Sequence, residues 1–278
     1  MEGKQTKRCR SRTVKYDLVK DKLEQIVGTS PLLRKLFFGA LDRLFLRSRY
    51  VRREINSLKQ SGFRPDSILD AGSGFGQYSF RLAKTFPSVE VIGLDTKQEI
   101  VESGNRLAKA FGLGNVRFMT GDLLDLQYVN DFDLVVNVDV LEHIEDDRKV
   151  ITNIGKALKK DGLFLLTTPY FDGSDVGGTF YVDEHVRPGY SRSDLESKLD
   201  AADLNLEKFA ITYGSWGNVA WTLLQKWPMG WLARRIWILP LIILYFLFVY
   251  PIALFCMHMD MNRTNNRGGG ILAIAKKK

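Results

Sequence analysis

Apolar residues recur along this chain with two different periods, and the change between them falls near residue 62. Over residues 17–60 the spacing is helical. Leu33, Phe37, Leu41 and Leu44 follow at offsets of four, four and three, while Arg34, Arg43 and Arg47 supply the polar remainder. After Gly62 and Pro65 come short, nearly continuous apolar runs of β type at 67–71, 89–95, 116–120, 133–138 and 163–168. Helical stretches separate them near 76–85, 97–111 and 147–160, the last with Ile151, Ile154 and Leu158 on one side. Strands apolar on both faces, alternating with helices, predict an α/β fold: a parallel sheet covered on both sides. A further helix is predicted over 193–202, opening on the capping-box spacing Ser193-Asp-Leu-Glu196, and two more strands at 204–213 and 271–276.

The order strand, glycine turn, helix occurs at ILDAGSGFGQYSFRLAK, residues 68–84. Glycines allow a sharp turn and bring backbone N–H groups against a ligand with no Cβ in the way. Many nucleotide sites use such a turn, so its details decide. Asp70 stands two residues before Gly72, where its carboxylate can face a cationic amino group. The spacing is Gly72-x-Gly74-x-Gly76; the dinucleotide fingerprint needs glycine at 77, which is Gln77. This counts against a nicotinamide oxidoreductase. Asp95 ends the next strand, where an acid can accept both hydroxyls of a ribose.

On these residues the sequence resembles the class I S-adenosylmethionine-dependent methyltransferases. Their Asp-x-Gly-x-Gly-x-Gly motif matches Asp70 to Gly76, their ribose-binding acid matches Asp95, and their acid beside the adenine matches Asp122 in Thr120-Gly-Asp-Leu123. The string FDLVVNVDVLEHIED, residues 132–146, is similar to the ubiquinone and menaquinone methyltransferase (type 11) branch. The likeness covers about residues 60–213 plus the last strand. It implies a Rossmann-like doubly wound sheet of seven strands with the last antiparallel, and S-adenosyl-L-methionine as cofactor. The implied cofactor contacts are Asp70, Gly72, Ser73, Gly74, Gly76, Gln77, Asp95, Thr96, Asp122, Leu123 and Asn137.

Methyl transfer from a sulfonium has a neutral leaving group, so alignment of the acceptor does much of the work. An oxygen acceptor also has a proton to lose. His143, just past the fourth strand, is the candidate catalytic base, or else a helix-start histidine packed on the sheet. His185, Arg187 and Tyr190 lie in the polar stretch 181–190, which faces the acceptor in related enzymes or merely leads to the next helix. Glu142 and His143 are adjacent, and no further His or Cys stands at ligand spacing, so no metal is expected.

The net charge of +8 matters through its placement. Lys4, Lys7, Arg8, Arg10, Arg12 and Lys15 stand against the single acid Glu2 within the first fifteen residues, and a second basic concentration spans 34–53. Such arms suit nucleic acid or anionic lipid head groups, or form a solvated tail. Nucleic-acid amino-methyltransferases carry an Asn/Asp-Pro-Pro-aromatic turn after the fourth strand. Here that place reads Asn137-Val-Asp-Val140, so a nucleic-acid partner is not expected. Cys9 and Cys256 form no disulfide framework and no apolar stretch follows the basic start as in a signal peptide, which sets a cytoplasmic expectation.

The segment 214–268 stands apart. All five tryptophans, Trp216, Trp221, Trp227, Trp231 and Trp237, lie there, and residues 236–257 carry no charge. That length suits a membrane crossing. Pro240 and Pro251 interrupt it, however, and a single crossing would separate the last two strands across the bilayer. A re-entrant or in-plane helical hairpin is expected instead, at an anionic membrane surface, with the basic helix over 32–53 as a second contact. A buried insert or a dimer interface is the alternative; the oligomeric state stays open. The organisation is therefore a basic tail (1–16), a helical cap (17–62), a methyltransferase domain (63–213 and 269–278) and a membrane-associating insert (214–268). The expected function is methyl transfer to an oxygen or carbon of a lipid-like, quinone-like or glycolipid acceptor by a peripheral or monotopic enzyme. The alternatives are a soluble small-molecule methyltransferase and a cofactor-binding scaffold without turnover.

Overall fold

The structure, a computed structural model, describes residues 30–173, 185–234 and 236–278. The basic tail, residues 17–29 of the N-terminal helical reading and residues 181–184 lie outside the described residues. The chain opens with helices α1 (Pro31–Leu44) and α2 (Leu46–Gln60). Alternation then runs β1 (Ser67–Ala71), α3 (Gln77–Thr85), β2 (Glu90–Asp95), α4 (Gln98–Ala110), β3 (Val116–Thr120), β4 (Phe132–Val138), α5 (Asp147–Ala157) and β5 (Leu158–Pro169). After these come α6 (Arg192–Asp200), β6 (Leu204–Thr212), α7 (Ser215–Trp221), α8 (Trp227–Arg234), α9 (Leu239–Met261) and β7 (Gly270–Lys277). A π-helical turn, Thr222–Lys226, joins α7 to α8.

The seven strands form one sheet in the order β3-β2-β1-β4-β5-β7-β6. The first five are parallel, and β7 runs antiparallel between β5 and β6. This is the expected Rossmann-like sheet. Ile68, Leu69, Leu134, Val135 and Val136 are all buried, as central parallel strands covered on both faces require. One face packs against α2, α3, α4 and the base of the α7–α9 hairpin through Val51, Ile55, Leu82, Leu107, Ala253 and Met257. The other packs against α5 and α6 through Val150, Ile151, Ile154, Leu195 and Leu199. Strand order reverses between β1 and β4, and at such a switch point the loops beyond the strand ends part to form a crevice.

Several local expectations are corrected. The N-terminal helix is two helices, because Phe45 adopts extended backbone (φ −102°, ψ 119°). The face of α1 holds only in part: Phe37, Leu41 and Leu44 are half-buried, but Leu33 is exposed (43%) and Arg34 is buried, its guanidinium 5.2 Å from the Phe75 ring centroid and 5.9 Å from that of Phe38. A planar guanidinium stacks on aromatic faces, so it can take an inward position that a period argument gives to leucine. Helix α5 stops at Ala157 because Leu158 already pairs with Phe132 of β4. The α6 cap is Ser191, whose hydroxyl accepts from the Asp194 N–H at 3.1 Å, two residues before the predicted capping box.

Pro251 does not break α9. The helix is continuous through it for 23 residues. The carbonyl that loses its partner there belongs to Leu247, on an exposed side of the helix, so the missing bond is not buried in the core. The chain does return to where it left. Thr212, at the end of β6, pairs with Gly270, at the start of β7, so both ends of the hairpin meet at one edge of the sheet. Asp260, fully buried near the end of α9, fixes this base: it accepts from the Tyr50 hydroxyl (2.9 Å) and the N–H groups of Gly217 (2.9 Å) and Tyr213 (3.2 Å).

Candidate active site

The turn after β1 is built on hydrogen bonds that leave room above it. The N–H groups of Gly72 and Ser73 both donate to the Leu94 carbonyl of β2, at 2.9 and 2.8 Å. Gly72 and Gly74 have φ of +86° and +49°. A Cβ on Gly72 would come within 2.5 Å of Val140, so only glycine fits there, whereas nothing stands within 4 Å of a Cβ position at Gly74. That open side faces outward from the turn, and the Gly74 N–H donates to Asp95 Oδ2 at 2.9 Å. Asp95 Oδ1 accepts from the Lys97 N–H at 3.0 Å. Asp70 is buried beneath the turn, and its carboxylate accepts from the Ser79 hydroxyl of α3 at 2.5 Å. Burial pushes its pKa up to about 7 against the pull of the Ser79 bonds, and the nearby Asp95 charge adds to the rise.

Two buried polar atoms beside this turn have no partner among the described residues: Ser73 Oγ and Asn137 Oδ1. The Asn137 amide on β4 donates to the Ala71 carbonyl at the end of β1 at 2.7 Å. Buried oxygens left this way are costly unless a ligand or water completes them. Together with the bare turn they fit a polar, amine-bearing nucleoside ligand. Thr96 is exposed just past β2; Asp122 is exposed and caps a short turn through Leu124 N–H (2.9 Å), and Leu123 is buried beside it.

Helices α1 and α2 close over this crevice by contacts that the sequence did not disclose. The Gln77 amide donates to Asp42 Oδ1 (2.8 Å) and Ser48 Oγ (3.2 Å), and Arg81 pairs with the other Asp42 oxygen. Arg47 pairs with Asp139, which follows β4 in a left-handed conformation (φ 52°) and accepts from the Thr167 hydroxyl at 2.7 Å. Asp139 lies inside the quoted string 132–146, but nothing in its spacing marks Arg47 as its partner 92 residues away.

Beyond β4 the structure brings together Glu142, His143 and His185. The two imidazoles meet edge to face with centroids 4.7 Å apart. His143 is exposed, and Glu142 is buried, accepting from the Thr168 hydroxyl at 3.2 Å. Burial raises the Glu142 pKa to about 7. Burial, and then the neighbouring His143, lower that of His185.

Arg187 and Tyr190 turn inward rather than toward an acceptor. Tyr190 is fully buried, its hydroxyl donating to Asp147 Oδ2 at 2.6 Å. Arg187 pairs with Asp147 and donates to the carbonyls of Ile144 (2.6 Å) and Glu145 (2.8 Å). Both therefore anchor the segment that carries His185.

The profile of the methyltransferase domain family matches residues 64–212. The chain belongs to that family. It is of the class I, S-adenosylmethionine-dependent kind, and S-adenosylmethionine is its cofactor. Among relatives, this methyltransferase is 35% identical over 174 residues to the uncharacterized methyltransferase YcgJ of Bacillus subtilis, covering 60% of this chain and 64% of YcgJ. It thus spans a little under two thirds of that relative. A carboxy-S-adenosyl-L-methionine synthase of Nautilia profundicola is 27% identical over 172 residues, covering 60% and 71% of the two chains. The crystal structure of YcgJ superposes with a TM-score of 0.52 over 81% of this chain and 98% of that one, at 21% identity, which speaks for the fold.

Proposed function

We propose that this methyltransferase moves the methyl group of S-adenosylmethionine to an oxygen of a lipid-like, quinone-like or glycolipid acceptor at a membrane surface. The observation that carries the reading is the apolar hairpin packed against the helices that close the cofactor crevice. Leu241, Ile243, Leu244, Leu247 (69%), Phe248 (68%) and Phe255 are exposed along α9, and Trp227, Trp231 and Trp237 are exposed beside them. Within α9, residues 240–261 contain an 18-residue stretch of mean hydropathy 2.3. The exposed stripe from Leu241 to Phe255 is about 20 Å long at the helical rise. A hydrocarbon core is about 30 Å thick. The hairpin thus has the reach to enter one leaflet, with tryptophans suited to the head-group layer and the exposed cations Lys35 and Arg43 suited to anionic lipid. A groove of about 610 Å³ lies between α1 (Ala40, Arg43, Leu44) and α9 (Pro240, Ile243, Leu247), apolar enough for an acyl or prenyl tail. Asp42, next to Arg43 in α1, holds Gln77 at the crevice, so one helix touches both the groove and the cofactor turn.

In this reading Asp70, Asp95 and Asp122 are the acids of the cofactor site, with Gly72, Ser73, Gly74, Gly76, Gln77, Thr96, Leu123 and Asn137 around them. When bound, S-adenosylmethionine supplies a sulfonium-activated methyl with a neutral thioether as leaving group. The chain has to orient the acceptor hydroxyl and dispose of its proton, and Glu142, His143 and His185 are titratable groups that meet beyond that end of β4.

Asp95→Ala is expected to weaken binding of S-adenosylmethionine by about 1–3 kcal/mol, by leaving ribose hydroxyls unpaired. Calorimetry giving equal affinities would remove Asp95 from the site. Vesicle sedimentation tests the surface. The purified protein should co-sediment with vesicles of phosphatidylglycerol and phosphatidylcholine, with a blue shift of tryptophan emission. A Leu244→Glu/Leu247→Glu/Phe248→Glu variant changes only exposed positions and should stay in the supernatant. A wild type that ignores the vesicles, or a triple variant that binds them equally, overturns the membrane assignment.

A further inference from the structure

We propose that Glu142, His143 and His185 form a binding site for one divalent cation of the zinc, manganese or iron(II) kind, and that this cation takes the acceptor hydroxyl. The proposal rests on the methyl-transfer reading above and names how its oxygen nucleophile is made. One ligand atom from each residue lies within 4.8 Å of the other two. Ligand bonds of about 2.0–2.2 Å place neighbouring donors roughly 3–4 Å apart, so a small inward rotation of each side chain closes the shell. Two imidazoles and a carboxylate suit these metals and leave further coordination positions open.

Two further observations point the same way. His185 Nδ1 is buried and has no hydrogen-bond partner among the described residues. Glu142 is buried, and a charge buried there is costly unless it is paired or coordinates a metal. The loop is also braced as a ligand-bearing loop needs to be. The Val186 N–H donates to the Glu142 carbonyl at 3.0 Å, tying the residue after His185 to Glu142. Arg187 grips the carbonyls of Ile144 and Glu145, and Tyr190 and Lys198 hold Asp147 from the other side. Such outer contacts fix ligands in place. The sequence could not show the site, because its third member stands 42 residues beyond His143, counting 185 less 143.

The chemistry balances without any redox partner. Coordination lowers the pKa of the acceptor hydroxyl, as it lowers that of water on zinc from 15.7 to about 7. The proton leaves to solvent. The oxygen then forms a bond to the methyl carbon as the carbon–sulfur bond breaks, both electrons of that bond going to sulfur.

The test uses the full chain, stripped with a chelator and titrated with Mn²⁺ by electron paramagnetic resonance and with Zn²⁺ by calorimetry. One site per chain is expected, weakened at least tenfold in Glu142→Gln and in His185→Ala, with melting checked for both variants. Methyl incorporation from labelled S-adenosylmethionine into a membrane-lipid extract should fall at least tenfold on stripping and return with metal. Absence of stoichiometric binding, or binding that both variants retain, overturns the site; incorporation indifferent to stripping overturns the cation's role. Binding of S-adenosylmethionine is measured separately, and its failure would strike the methyl-transfer reading while the metal titration still reports on the triad.

Discussion

His143→Ala is expected to lower methyl incorporation into a lipid extract by about 10²–10⁴-fold while leaving S-adenosylmethionine affinity nearly unchanged. The two effects separate because the residues lie in different parts of the crevice. The glycine turn is held by β2 and α3, through Leu94, Asp95 and Ser79, and among the described residues none of these hydrogen bonds involves the loop after β4 that carries His143. That loop presents an exposed imidazole against His185 and beside buried Glu142. In the proposed reading, removing the ring takes away the means of stripping the proton from a hydroxyl of high pKa, whether it acts directly or as a ligand. Substitution of an exposed side chain leaves the core intact, so a fall in turnover reports on chemistry. Wild-type turnover in the variant would leave orientation alone as the source of rate.

Asp147→Ala should destabilise the fold by about 3–5 kcal/mol, read as a drop in the urea midpoint. Asp147 is buried and serves Tyr190 at 2.6 Å, Lys198 at 2.8 Å and Arg187. Lys198 is itself buried, at 8% exposure, so the substitution leaves its charge to Asp194 alone, 2.9 Å away, and the tyrosine hydroxyl to the Leu141 carbonyl at 3.3 Å. Burial alone would raise the Asp147 pKa, but hydrogen bonds from Lys198 and Tyr190 and the charges of Lys198 and Arg187 hold it below the usual carboxylate range. A depressed folded pKa gives stability that is present above the unfolded value, near 3.9, and is lost as pH falls through the folded one. The gap between wild type and variant should therefore be full at pH 7 and narrow below about pH 4. A gap that persists undiminished at low pH, or a loss under 1 kcal/mol at neutrality, would mean that the three donors find other partners.

The fold could be read from the sequence because its signals are local. Continuous apolar runs such as Ile68–Leu69 and Leu134–Val136 are what buried parallel strands need, and the glycine turn between β1 and α3 sits where the chain must reverse without side chains. The antiparallel last strand came from the family likeness, since no local period reveals a strand's direction.

Where the sequence misled, tertiary contact outweighed local preference. Arg34 reads as a surface cation, yet Phe75 and Phe38 offer it aromatic faces inside. Pro251 reads as a break, yet α9 passes through it because the lost bond falls on an exposed side while Ala253, Met257 and Asp260 lock the rest of the helix to the core. Arg187 and Tyr190 read as acceptor contacts, yet Asp147 claims both. The meeting of Glu142 and His143 with His185 and the pairing of Arg47 with Asp139 join residues far apart in the chain. The sequence by itself determined the strands, most of the helices and the glycine turn, because neighbours along the chain fix periodicity and turn chemistry. Only the tertiary structure decided which polar groups meet, because burial and hydrogen bonding are settled by neighbours in space.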